Sequence, residues 1–180
     1  MLQTALMPTF LSGLPLHPLL VHAVVVLVPL SALGAVVIAV WPAARRRYGS
    51  LVVLGAVAAL GATFLAEQAG EGLERYLPGS PAISSHMQVA GTLKLWVGAL
   101  FVVTAALVFV HRRSPAPARR EGPGTTSAPA TAGPSRLVAG ALALLTVVAA
   151  VGAGVVVFLA GDSGARAVWG GDRVYELQQP

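Results

Sequence analysis

The 180-residue chain has no cysteine, which removes disulfides, thiol nucleophiles, iron–sulfur ligation and thiolate zinc sites together. It also has little charge. Asp, Glu, Lys and Arg make up 11% of the residues, against about 25% in soluble domains. Apolar residues reach 56% before the 20 glycines are counted, where a soluble domain reaches roughly 45–50% with glycine included. So few charges cannot solvate a folded surface, and so much apolar surface cannot be hidden in one small core. The chain therefore reads as an integral membrane protein. Lysine is nearly missing as well: Lys94 stands alone beside 11 arginines. That bias, with abundant Ala, Gly, Val and Pro, fits a high-GC bacterial genome. Lys and Arg are absent from the first 44 residues. The positive segment of a secretory signal is thus missing, and the first apolar span is expected to remain in the mature protein.

Four stretches are long and apolar enough to cross a bilayer, which takes about 20 residues at 1.5 Å each. They are 19–41, 51–70, 89–110 and 137–160. Backbone groups within lipid must be satisfied inside their own segment, so each is expected to be a helix. The predicted fold class is all-α: a single four-helix membrane domain over 1–180, made of two antiparallel hairpins. The short segment Pro42–Ser50 is expected to be the loop of the first hairpin. Residues 112–136, rich in Pro, Ala, Ser, Thr and Gly without apolar period, read as a disordered cytoplasmic linker between the hairpins.

Charge sets the expected orientation. Arg45, Arg46 and Arg47 follow the first span, and Arg112, Arg113, Arg119, Arg120 and Arg136 lie between the third and fourth. These two segments hold 8 of the 12 basic residues with Glu121 as their one acid. The opposite side holds Arg75, Arg166 and Arg173 with Glu67, Glu71, Glu74, Asp162, Asp172 and Glu176. The positive-inside rule places the arginine-rich segments in the cytoplasm and both termini outside. The net charge of +5 is then a topology signal, and nucleic acid is not an expected partner.

The hairpins resemble one another. Each opening span carries a histidine near its outer end, His22 and His86. The closing spans end in related words, FLAEQAG at 64–70 and FLAGDSG at 158–164. A repeat of this sense implies a pseudo-two-fold axis along the membrane normal, with His22 and His86 at equal depth across it. Ala58, Ala62, Ala66 and Gly70 recur every fourth residue and offer a face for close helix approach. Pro29 lies mid-span and is expected to kink the first helix.

The histidines are the main candidates for chemistry. His17 and His111 read as boundary residues. For His22 and His86 two readings stand: interfacial side chains bonded to backbone carbonyls, or axial ligands of a haem b near the outer face. A metal held by His22, His86 and Glu67 is a rival to the haem. Lys94 lies about two turns inside the third span, where a lone ammonium costs roughly 2.5–3.5 kcal/mol. Its candidate partners are Glu67, Asp162 or an anionic group of a cofactor. An enzyme is the least favoured class, because no nucleophile–base constellation is present.

The segment LPLHPLLVH at 14–22 resembles the opening signature of a bacterial four-helix membrane family catalogued as domain of unknown function 2231. The tail GDSGARAVW at 161–169 is similar to that family's glycine-rich close, and His86 resembles its second-half histidine. The resemblance spans nearly the whole chain apart from the linker. Relatives fused to Rieske-type iron–sulfur domains give it a lean toward electron transfer. Where the family often has histidine at the start of its tail this chain has Asp162, and a polar extension runs from Glu176 to Pro180. The resemblance carries no established activity. The expected function is therefore a haem- or metal-binding redox module with His22, His86 and Lys94 at its site. The alternative is a small transporter, or a structural or assembly subunit of a membrane complex. The bilayer is the expected partner, with a redox protein or other membrane subunits beside it.

Overall fold

In a computed structural model, which describes residues 10–77, 79–113 and 136–169, the chain forms four long helices. They are α1 (Leu16–Val40), α2 (Pro42–Glu74), α3 (Pro81–Arg113) and α4 (Arg136–Trp169). All four are long and apolar enough to cross a membrane. α2, α3 and α4 run past their expected spans at both ends because polar residues continue the helix beyond the apolar core, while α1 starts three residues before its span and ends one short of it. The expected linker at 112–136 falls mostly on 114–135, outside the described residues, while Arg112 and Arg113 belong to the last turn of α3.

The helices form an up-down-up-down ring. α1 packs on α2 and α3 on α4 within the hairpins, α1 meets α4 and α2 meets α3 between them, and α1 and α3 stand on the diagonal. The core is layered by size. α1 and α3 contribute Val24, Val28, Ile38, Leu93, Val97, Leu100 and Leu107. α2 and α4 answer mainly with alanine, Ala56, Ala59, Ala62, Ala66, Ala149, Ala150, Ala153 and Ala160, with Val157 on α4 the larger exception, and α1 adds Ala32, Ala35 and Ala39. Small residues let backbones approach where lipid offers no hydrophobic drive for association. The larger side chains Leu30, Leu33, Leu51, Leu54, Leu144 and Phe158 remain exposed on the outside. That inversion is stable only where the solvent is hydrocarbon.

The expected four-residue ladder on α2 is only partly realised. Ala62 and Ala66 are buried, but Ala58 is exposed and Ala59 takes its place inside. A straight helix has 3.6 residues per turn, so a strict spacing of four drifts off the contact face.

The segment Pro42–Ser50 is not a loop. α2 starts at Pro42, directly after Trp41. Proline at the first helical position has its φ preset and lacks an N–H that would be orphaned anyway. The turn is closed by Arg45, which is buried and donates from Nε to the Ile38 carbonyl at 2.7 Å and from Nη2 to the Ala39 carbonyl at 2.6 Å. The guanidinium thereby satisfies carbonyls left open at the C-terminus of α1. An arginine counted as a topology signal is also the clasp of the first hairpin.

A two-residue hairpin, β1 (Phe10–Leu11) with β2 (Leu14–Pro15), precedes α1. Its turn residues Ser12 and Gly13 both have positive φ, 50° and 82°, as a two-residue hairpin turn demands. Phe10 packs edge-on against Tyr76, with ring centroids 5.6 Å apart, which ties the hairpin to the end of α2.

Candidate functional site

The burial pattern reveals the internal repeat and fixes its register. Aligning His17 with His86 carries Val24 onto Leu93, Val28 onto Val97, Ser31 onto Leu100, Ala35 onto Thr104, Ile38 onto Leu107 and Ala39 onto Val108. Every one of these residues is buried. The FLA words align α2 with α4 in the same way, carrying Ala56 onto Ala150, Ala59 onto Ala153 and Ala66 onto Ala160, all buried. The histidine equivalent to His86 is therefore His17. Aligning His22 with His86 instead would carry the exposed Pro29 and Leu33 onto the buried Leu93 and Val97.

The two rings repeat one arrangement. His17 Nδ1 lies 2.8 Å from the Ala66 carbonyl, so the ring N–H donates across to α2. His86 reaches the equivalent Ala160 carbonyl through a serine: its Nδ1 lies 3.1 Å from Ser163 Oγ, whose hydroxyl donates to Ala160. Each ring also rests on a glycine. A Cβ on Gly70 would stand 3.0 Å from His17 Cε1 and Nδ1, and one on Gly164 would stand 3.1 Å from His86 Cε1. These glycines are the last letters of the two repeated words. They serve close approach of an imidazole to the helix backbone.

The rings meet where the halves join. The His17 and His86 centroids are 6.4 Å apart at an interplanar angle of 75°. With Nδ1 of each ring engaged, Nε2 is the nitrogen left to accept a proton or ligate a metal, as in metal-bound histidines whose other nitrogen is held by a carbonyl.

His22 takes a different place. It is exposed, and its Nδ1 bonds the Pro18 carbonyl of its own helix at 2.6 Å. Five residues separate it from His17, which turns it about 140° around the helix; the phase that brings His17 to α2 sends His22 away. The expected trio of His22, His86 and Glu67 does not form: among the described residues no three His, Cys, Asp or Glu side chains are grouped to hold a metal. Glu67 binds Lys94, with Nζ to Oε1 at 2.5 Å and both side chains partly exposed. Asp162, the other expected partner of Lys94, instead pairs with Arg166 one turn along α4, at 2.8 Å. His111 lies with Arg112 and Arg113 at the opposite end of α3.

Sequence reasoning missed His17, yet a signal existed. His17 precedes Val24 and Val28 by the same steps that separate His86 from Leu93 and Val97.

No curated protein and no solved structure matches the chain. The sequence profile of one family, described as a predicted membrane protein (DUF2231), matches residues 13–174. With that match over most of its length, and with four membrane-length helices, the chain belongs to this family of predicted membrane proteins.

Proposed function

We propose that the chain is a non-catalytic redox module of the membrane, in which His17 and His86 would together hold a haem. The observation that carries this reading is the paired geometry of the rings. Each half supplies one imidazole, each imidazole has its Nδ1 held by the neighbouring helix, and the two centroids stand 6.4 Å apart. Two imidazoles bound through nitrogen to one metal at about 2 Å bring their centroids about 6 Å apart. The donor set fits a haem iron better than a hard cation, because among the described residues it is purely imidazole with no carboxylate joining it. The bound group would supply one-electron chemistry. The chain's own residues would orient the rings through Ala66, Ala160 and Ser163 and set the ligand tautomer by occupying Nδ1.

Lys94 takes a secondary role in this reading. Its ammonium pairs with Glu67, the residue after the one whose carbonyl holds His17, so the charge nearest that turn of α2 is balanced. The arginine distribution supports an extracytoplasmic location for the histidine end and for both termini.

An absorption spectrum of the protein, expressed with ample haem and purified in mild detergent, tests the reading. A reducible Soret band is expected in the unmodified chain and in His22→Ala, and it is lost in His17→Ala and His86→Ala. A colourless protein, or a band that survives His17→Ala, overturns it.

A further inference from the structure

The internal two-fold relates two crevices between the halves, and their linings differ. Between α2 and α3 the crevice holds the Lys94–Glu67 pair. The same alignment carries Lys94 onto Val25 and Glu67 onto Gly161, so between α1 and α4 a valine and a glycine stand where the ion pair would be. That crevice is an open groove of about 570 Å³, lined by Val25, Pro29, Val157, Phe158 and Gly161 with Asp162 at one end. Glycine makes the depression: a Cβ on Gly154 or Gly161 would meet nothing within 4 Å.

Its length and its end point to an occupant. The lining runs along α4 from Gly154 to Ala165, which at 1.5 Å per residue is about 16 Å. That is half of the roughly 30 Å hydrocarbon thickness, the depth of one leaflet. At the histidine end of the groove stand an acid and a base, Asp162 and Arg166, bonded to each other at 2.8 and 3.2 Å and both open to the surroundings. Such a pair complements a head that carries one phosphate and one ammonium, each placed against the opposite charge. Pro29 adds one more feature, since it cannot donate a helical hydrogen bond to the Val25 carbonyl on the groove wall.

We propose that this groove seats one acyl chain of a zwitterionic glycerophospholipid, with the lipid phosphate on Arg166 and its ammonium on Asp162. The site is independent of the haem reading. It shares no residue with the His17–His86 pair and lies on the outer seam of the two halves.

Native mass spectrometry of the full chain in detergent, titrated with lipid, tests it. Phosphatidylethanolamine is expected to bind about tenfold more tightly than phosphatidylglycerol or diacylglycerol. The preference is expected to vanish in Arg166→Gln and in Asp162→Asn, whose exposed side chains make them safe for folding. Gly161→Leu fills the groove and is expected to remove binding of all three lipids. His17→Ala is expected to leave lipid binding unchanged, which separates this site from the haem site. Equal binding of the three lipids, or phosphatidylethanolamine binding undiminished in Gly161→Leu, overturns the proposal.

Discussion

Substituting Gly70 by alanine separates a site built around an imidazole from an ordinary helix contact. In an open helical position the change is favourable by roughly 0.5–1 kcal/mol, because glycine loses more backbone freedom on folding. Gly61 is such a position, with nothing within 4 Å of its added Cβ. At Gly70 the new methyl would stand 3.0 Å from two ring atoms of His17, and that ring is fixed by its bond to the Ala66 carbonyl. The ring must shift by several tenths of an ångström. The shift weakens a hydrogen bond worth about 0.5–1.5 kcal/mol and adds packing strain of about 1–3 kcal/mol. Gly70→Ala is thus expected to destabilise by about 1–2 kcal/mol after the propensity gain. In a His17→Ala background the obstacle is gone, and the same change is expected to stabilise by about 0.5–1 kcal/mol. Thermal or denaturant unfolding of the four proteins in one detergent closes the double-mutant cycle, with an expected coupling of about 2 kcal/mol. A coupling below about 0.5 kcal/mol, or Gly70→Ala as stable as Gly61→Ala, refutes the claim that His17 rests on this turn of α2.

Two further substitutions probe the scaffold. A Cβ at Gly152 would lie 2.1 Å from Trp96 Cε3 and 2.6 Å from its Cδ2, overlaps that a rigid indole relieves only by moving. Gly152→Ala is expected to cost about 1–3 kcal/mol in unfolding measurements, while Gly140→Ala, which meets nothing within 4 Å, is neutral or slightly stabilising. Arg45→Met removes two charge-assisted hydrogen bonds to the end of α1 and is expected to cost about 2–3 kcal/mol. Arg46→Met, at an exposed position, is expected to cost little in the same assay, and equal losses at the two sites would remove the clasp role of Arg45.

The sequence by itself determined the solvent, the number of helices and the two chemically distinct ends of the bundle. Those follow from composition and segment length, which hydrocarbon reads without reference to packing: four apolar runs long enough to cross, arginines near one end, histidines and carboxylates near the other. It also held the repeated FLA words that mark Ala66 and Ala160. Which histidine faces His86 could not be read from α1 alone, and the packing of the helices decides it. In water an amphipathic stripe announces which side of a helix is buried. α1 is apolar on nearly every side, because lipid accepts the same side chains as the core, so its rotation leaves no stripe to read. The phase is set by close approach, with Val24 and Val28 buried and His17 laid over Gly70. That same rotation turns His22 outward. The partner of Lys94 was undecided for a related reason. Glu67 and Asp162 occupy near-equivalent ends of α2 and α4, which both flank α3, and only the rotation of α3 that brings Lys94 to its α2 side gives the ammonium to Glu67 and leaves Asp162 to Arg166.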